Sequence, residues 1–127
     1  MRCSLYAILS GLIIFTGCKT NSDDGREIIE SSIFKIESPE KAIVGDNVEI
    51  TVQFTGASGC SIPYSIEANK VGQTIELRAY FSEPSSGTCT ANIPELNLKY
   101  TFFADLPGPY FFVSHRDNSA SDTLVVQ

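Results

Sequence analysis

The chain has no tryptophan, one methionine and one histidine, His115. Those shortages remove much catalytic chemistry at once. With a single imidazole, any Ser-His-Asp site must use His115, and the adjacent Ser114 points to the opposite face of a strand that holds both. No GxSxG elbow is present to lift another serine out of a sheet. There is no GxGxxG and no Walker lysine, so no phosphate cradle and no nucleotide cofactor are expected. Positive charge is also scarce, with nine Lys and Arg against fifteen Asp and Glu. That balance opposes a nucleic-acid partner, whose phosphates need a basic face. Cysteines number four and form no CxxC, a poor basis for a metal centre. Apolar runs are short of the ~20 residues that span a bilayer as a helix. The expectation is a protein that is not an enzyme and carries neither cofactor nor metal.

What is present begins with an address. Leu5, Ile8, Leu9, Leu12, Ile13, Ile14 and Phe15 form an apolar stretch of about a dozen residues behind Arg2. It ends in Phe15-Thr16-Gly17-Cys18. Small residues at 16 and 17 let a peptidase approach the backbone before Cys18, and only a thiol accepts the lipid. The segment resembles a bacterial lipoprotein signal peptide with its lipobox, Phe15 standing where Leu is commonest. The resemblance implies removal of residues 1–17, a lipid on Cys18, and attachment to the outer membrane, facing the periplasm or the cell exterior. Acyl chains at ~0.8 kcal/mol per buried methylene make such an anchor effectively permanent.

Removing the leader leaves eight basic and fifteen acidic side chains, a net charge of about −7. Such a surface does not lie flat on anionic lipid. Cys3 leaves with the leader and Cys18 takes the lipid, so Cys60 and Cys89 remain, and in an exported domain they are expected to form one disulfide. Residues 18–31 are polar and acidic and read as a flexible tether. A dozen such residues reach ~40 Å at full extension. Ser22-Asp23-Asp24 resembles the acidic export tag of Bacteroidota surface lipoproteins, although a plain solvated spacer has the same composition.

From residue 32 a period of two takes over. Val48, Ile50, Val52 and Phe54 alternate with polar residues, as do Ile75, Leu77, Ala79 and Phe81, and Leu96, Leu98, Tyr100 and Phe102. Shorter strands are predicted over Ile33–Glu37, Ile62–Ala68, Tyr110–His115 and Asp122–Val126. Turns are read at Ser38–Glu40, Val44–Asn47, Asn69–Gly72, Glu83–Gly87 and Leu106–Pro109. About seven strands in residues 32–127, without a helical period, predict an all-β, single antiparallel sandwich.

Leu106-Pro107-Gly108-Pro109-Tyr110-Phe111-Phe112-Val113 resembles the PGxY approach to the penultimate strand of bacterial immunoglobulin-like domains. The resemblance implies a tyrosine corner, with the Tyr110 hydroxyl bonded to upstream backbone. Together with Gly45-Asp46-Asn47-Val48-Glu49-Ile50, it makes the chain similar to small immunoglobulin-like lipoproteins of Bacteroidota. Asp105 lies five residues before Tyr110, where the immunoglobulin pattern prefers an acid four before.

Two binding features stand out. Tyr80 lies with Glu76 and Arg78 on the polar face of its strand, a candidate contact for a protein or glycan ligand. Asp117-Asn118-Ser119-Ala120-Ser121-Asp122 is rich in oxygen donors but lacks EF-hand spacing, and any hairpin loop of this length has a similar composition. The function expected is a membrane-tethered, non-catalytic binding or scaffolding module. The alternative is an inhibitor or accessory subunit of a secreted enzyme, presenting the loop from Glu83 to Thr88 beside the Cys89 bond.

Overall fold

The computed structural model describes residues 5–7, 13–15, 25–116 and 120–127. Strands β1 (Leu5–Ala7) and β2 (Ile13–Phe15) pair antiparallel with Tyr6 opposite Ile14, within the expected leader. Cys18 lies outside the described residues. The body is all-β, and no helix occurs among the described residues.

Alternation explains the main strands. In β6 (Asn47–Thr55) Val48, Ile50, Val52 and Phe54 are buried while their neighbours face solvent. It sits between β4 (Ile33–Glu37) and β9 (Glu95–Phe103), forming an antiparallel sheet of three. The second sheet is built on β8 (Thr74–Pro84), whose Ile75, Leu77, Ala79 and Phe81 are buried. One edge of β8 pairs along its length with β7 (Ile62–Val71). The other edge is shared. Residues 74–77 run parallel to β10 (Gly108–Ser114), and residues 79–84 run antiparallel to β3 (Arg26–Ser31). Beyond β10 lie β11 (Ser121–Val126) and the two-residue β5 (Lys41–Ala42), which is parallel to β11. The inner faces of the two sheets share one core, in which the Phe102 ring meets Tyr110 and Phe112 edge-on, with centroids 4.9 and 5.4 Å apart.

Four expectations need correcting. The tether does not extend to residue 31, because Arg26–Ser31 is strand. Its partner is the half of β8 that β10 leaves uncovered, where Ile29 packs against the core and Ser31 is buried. Nine strands, rather than about seven, make the two sheets among the described residues. The pairing is also only mostly antiparallel, since β8–β10 and β5–β11 are parallel. Turn positions shifted as well. The β7–β8 hairpin turns at Gly72-Gln73, with Val71 opposite Thr74, and Gly72 takes a φ of 63° that other residues resist.

Two local expectations are met. Cys60 and Cys89 are bonded, their Cα atoms 5.6 Å apart. The Tyr110 hydroxyl donates to the Leu106 carbonyl at 2.9 Å, fixing the loop before β10. Tyr110 is otherwise buried, so Tyr110→Phe keeps the packing and leaves the carbonyl short of a donor. A loss of ~1 kcal/mol is expected in urea unfolding; unchanged stability would mean that water replaces the hydroxyl without cost.

A polar clamp lies next to the disulfide. Glu83 accepts hydrogen bonds from the Ser58 and Ser61 hydroxyls, while Arg26 donates to the Ser82 hydroxyl at 3.0 Å and the Cys60 carbonyl at 2.7 Å. The two serine hydroxyls, helped by the Arg26 charge, hold the Glu83 carboxyl below its ordinary value of 4.5, against some desolvation. A depressed carboxyl stabilises the fold above its unfolded pKa, and that contribution fades as pH falls through the folded value. Melting temperatures followed from neutral pH down through 4.5 are therefore expected to fall more for the wild type than for Glu83→Gln. Parallel acid profiles would rule the clamp out as a source of acid sensitivity.

Candidate functional site

The outer face of the larger sheet assembles polar residues of three strands, β7, β8 and β3. Register decides which ones meet. On β8, Glu76, Arg78 and Tyr80 share this face at intervals of two. Across from them β7 places Asn69 opposite Glu76 and Glu67 opposite Arg78, and β3 places Glu30 opposite Tyr80. On the far side Val113 of β10 lies opposite Glu76. Glu67, Ala68, Asn69, Glu76 and Arg78 line a shallow recess of about 160 Å³. A wider recess of about 460 Å³ lies between Pro39 and Glu49, and aromatic side chains line neither.

Hydrogen bonds hold the recess in shape. The half-buried Tyr80 hydroxyl donates to Glu67 Oε2 at 3.1 Å. The Arg78 guanidinium beside that hydroxyl is raised above its ordinary value, by the Tyr80 hydroxyl first and with smaller support from the charges of Glu30 and Glu67. At the other end His115 Nδ1 lies 2.8 Å from Glu76 Oε2, while the His115 backbone N–H donates to Leu77 O at 3.0 Å. Arg116 Nη1 donates to the Glu30 carbonyl at 3.1 Å, and the buried Glu30 Oε2 accepts no hydrogen bond from the described residues. Acceptors at Glu67, Glu76 and Asn69, one permanent cation at Arg78 and the Tyr80 ring make a surface that hydrogen-bonds and stacks at once.

All three residues expected to contact a ligand are therefore on one face, and two of them line the recess. Its other wall was not legible. Glu67 lay in a predicted strand without a known partner, Asn69 in a predicted turn and Glu30 in the tether. The available signal was Gly72-Gln73, because a two-residue hairpin there fixes Asn69 across from Glu76. Ser114 is buried and His115 exposed, on opposite sides of the sheet as anticipated. The acidic loop is only partly described, residues 117–119 lying outside. Its Asp122 has a structural role, accepting from the Ser38 backbone N–H at 2.6 Å and the Ser38 hydroxyl at 2.9 Å.

Comparison with known proteins finds no matching family model, no matching curated protein and no matching solved structure.

Proposed function

We propose that the chain is a lipid-anchored, immunoglobulin-like binding module of the outer membrane, and that it recognises a protein or glycan ligand without catalysis. The observation that carries this is the recess on the larger sheet, where Glu67, Asn69, Glu76 and Arg78 line a polar hollow and the half-buried Tyr80 beside it bonds Glu67. A rigid sheet holds these side chains in place, so a ligand meets groups already oriented and loses less side-chain entropy on binding. The tyrosine corner and the parallel packing of β5 on β11 support the immunoglobulin-like reading, while the parallel β8–β10 pair is this chain's own departure. A lipid on Cys18 confines the module to the envelope and raises its effective concentration there.

Cross-linking on intact cells followed by mass spectrometry identifies the ligand, and titration of purified protein then tests the face. Arg78→Ala and Tyr80→Ala are each expected to weaken binding ~10-fold or more, the scale of an interface hot spot. Lys99→Ala, on the other sheet, is expected to bind as wild type. A ligand held equally well by all three variants sinks this assignment of the face.

The inhibitor reading keeps one supporting observation. The exposed segment 85–88 is braced at both ends, by the Ser85 backbone N–H on the Gly25 carbonyl at 2.7 Å and by the Cys89 bond.

A further inference from the structure

The two loops joined by the disulfide carry no charged side chain. Residues 56–63 read Gly-Ala-Ser-Gly-Cys-Ser-Ile-Pro, and residues 84–94 read Pro-Ser-Ser-Gly-Thr-Cys-Thr-Ala-Asn-Ile-Pro. In a chain that is 19% charged, this is an unusual gap for exposed loops. The loops lie against each other, with Gly56 N–H donating to Pro94 O and Gly59 N–H to Thr90 O, both at 3.0 Å. They present Ile62 and Ile93, 51% and 66% exposed, with exposed Tyr64 alongside. The ionic groups beneath them, Arg26 and Glu83, are taken up by the clamp. Glu27 and Glu95 are left at the margin. The opposite end also exposes Ile43, Phe103 and Leu106, but those stand among Lys41, Asp46, Lys70 and Asp105.

The uncharged end is also where the chain joins the fold. Arg26 lies opposite Pro84, and the Gly25 carbonyl bonds Ser85. Cys18 is seven residues earlier, so a lipid on it is at most ~25 Å of extended chain away. Strand β8, eleven residues long, puts the opposite end a further ~35 Å off.

We propose that this disulfide-stapled end rests on the lipid bilayer, with Ile62, Tyr64 and Ile93 at the level of the headgroups. The proposal rests on lipidation of Cys18. Apolar side chains on an uncharged surface bind at that depth by burying area rather than by attracting anionic lipid. The marginal carboxylates of Glu27 and Glu95 favour a zwitterionic surface over an anionic one. In this pose the larger sheet stands away from the membrane, and the recess at Arg78 stays open to a ligand.

Because the chain has no tryptophan, one introduced indole reports a single place. Ile93→Trp and the distal Leu106→Trp are made in the mature chain starting at Cys18. With Cys60 and Cys89 bonded to each other, the Cys18 thiol couples selectively to a maleimide lipid in phosphatidylcholine vesicles with brominated acyl chains. The Ile93→Trp protein is expected to shift its emission to the blue and lose most of its intensity, and the Leu106→Trp protein to do neither. Two unquenched variants, or quenching of Leu106→Trp instead, overturn the docking. Should Ile93→Trp fail to fold, Ala91→Trp in the same exposed loop is read the same way. The anchor is checked separately, by the mass of mature protein from membranes beside a Cys18→Ser control. A mature protein without acyl mass overturns the anchor and the proposal with it, whereas an acylated protein whose Ile93→Trp variant stays unquenched overturns the docking alone.

Discussion

Replacing Cys60 and Cys89 together with alanine is expected to lower stability by roughly 3–4 kcal/mol, the chain-entropy value for a closed loop of about 30 residues. For a domain of this size that amounts to a melting temperature lower by roughly 15 °C in circular dichroism. The figure is large against a total stability of about 5–15 kcal/mol. The effect is local as well as global. The loops at residues 56–61 and 89–94 are otherwise joined by the two backbone hydrogen bonds at Gly56 and Gly59, and no strand pairing connects them. Hydrogen exchange is therefore expected to speed up first at those two amides and only weakly in β6 and β9. A melting temperature within ~3 °C of the wild type would mean that the clamp at Arg26 and Glu83 suffices to close the loop without the covalent bond.

The bond itself was legible because cysteine arithmetic left one pair, and the structure joins that pair. Strand identity was legible for a different reason. Wherever one face of a strand is buried and the other solvated, period two is written directly in the side chains, as in β6 and in β8 as far as Phe81. It failed where that asymmetry is missing. Strand β3 reads Arg-Glu-Ile-Ile-Glu-Ser, with two apolar residues side by side, and it becomes a strand only because β8 offers an unpaired edge. Strand β5 is two residues long and has no period at all.

The same distinction limits the site. Glu76, Arg78 and Tyr80 came from one strand's alternation, a local property of the sequence. Glu67, Asn69 and Glu30 join them through register, which depends on where a turn falls and which edge is free. Parallel pairing of β8 with β10 was not legible either. No short-range pattern records the direction of a strand thirty-seven residues away, as Ile75 is from Phe112.

The second large effect is expected at the ring contact between the sheets. Phe112 is fully buried and Phe102 nearly so, and their rings meet at 87°. Truncating either to alanine is expected to cost ~3–5 kcal/mol, the transfer term plus the cavity left behind. The double variant is expected to cost less than the sum of the singles, with a coupling of ~0.5–1.5 kcal/mol. Two vacated rings merge into one space, and the second truncation removes a contact already lost. Urea unfolding at constant slope measures all three, and additivity within ~0.3 kcal/mol would show the rings to be energetically independent. The contact also bears on the outer face. Strand β10 is held to β8 over only four residue pairs, one of which is Phe112 with Ile75. Val113, next along, lies opposite Glu76, and His115 beyond it reaches the Glu76 carboxylate. Loosening Phe112 is therefore expected to weaken ligand binding at the recess as well as stability. Phe102→Ala, made on the other sheet, should spare binding under conditions where both variants stay folded.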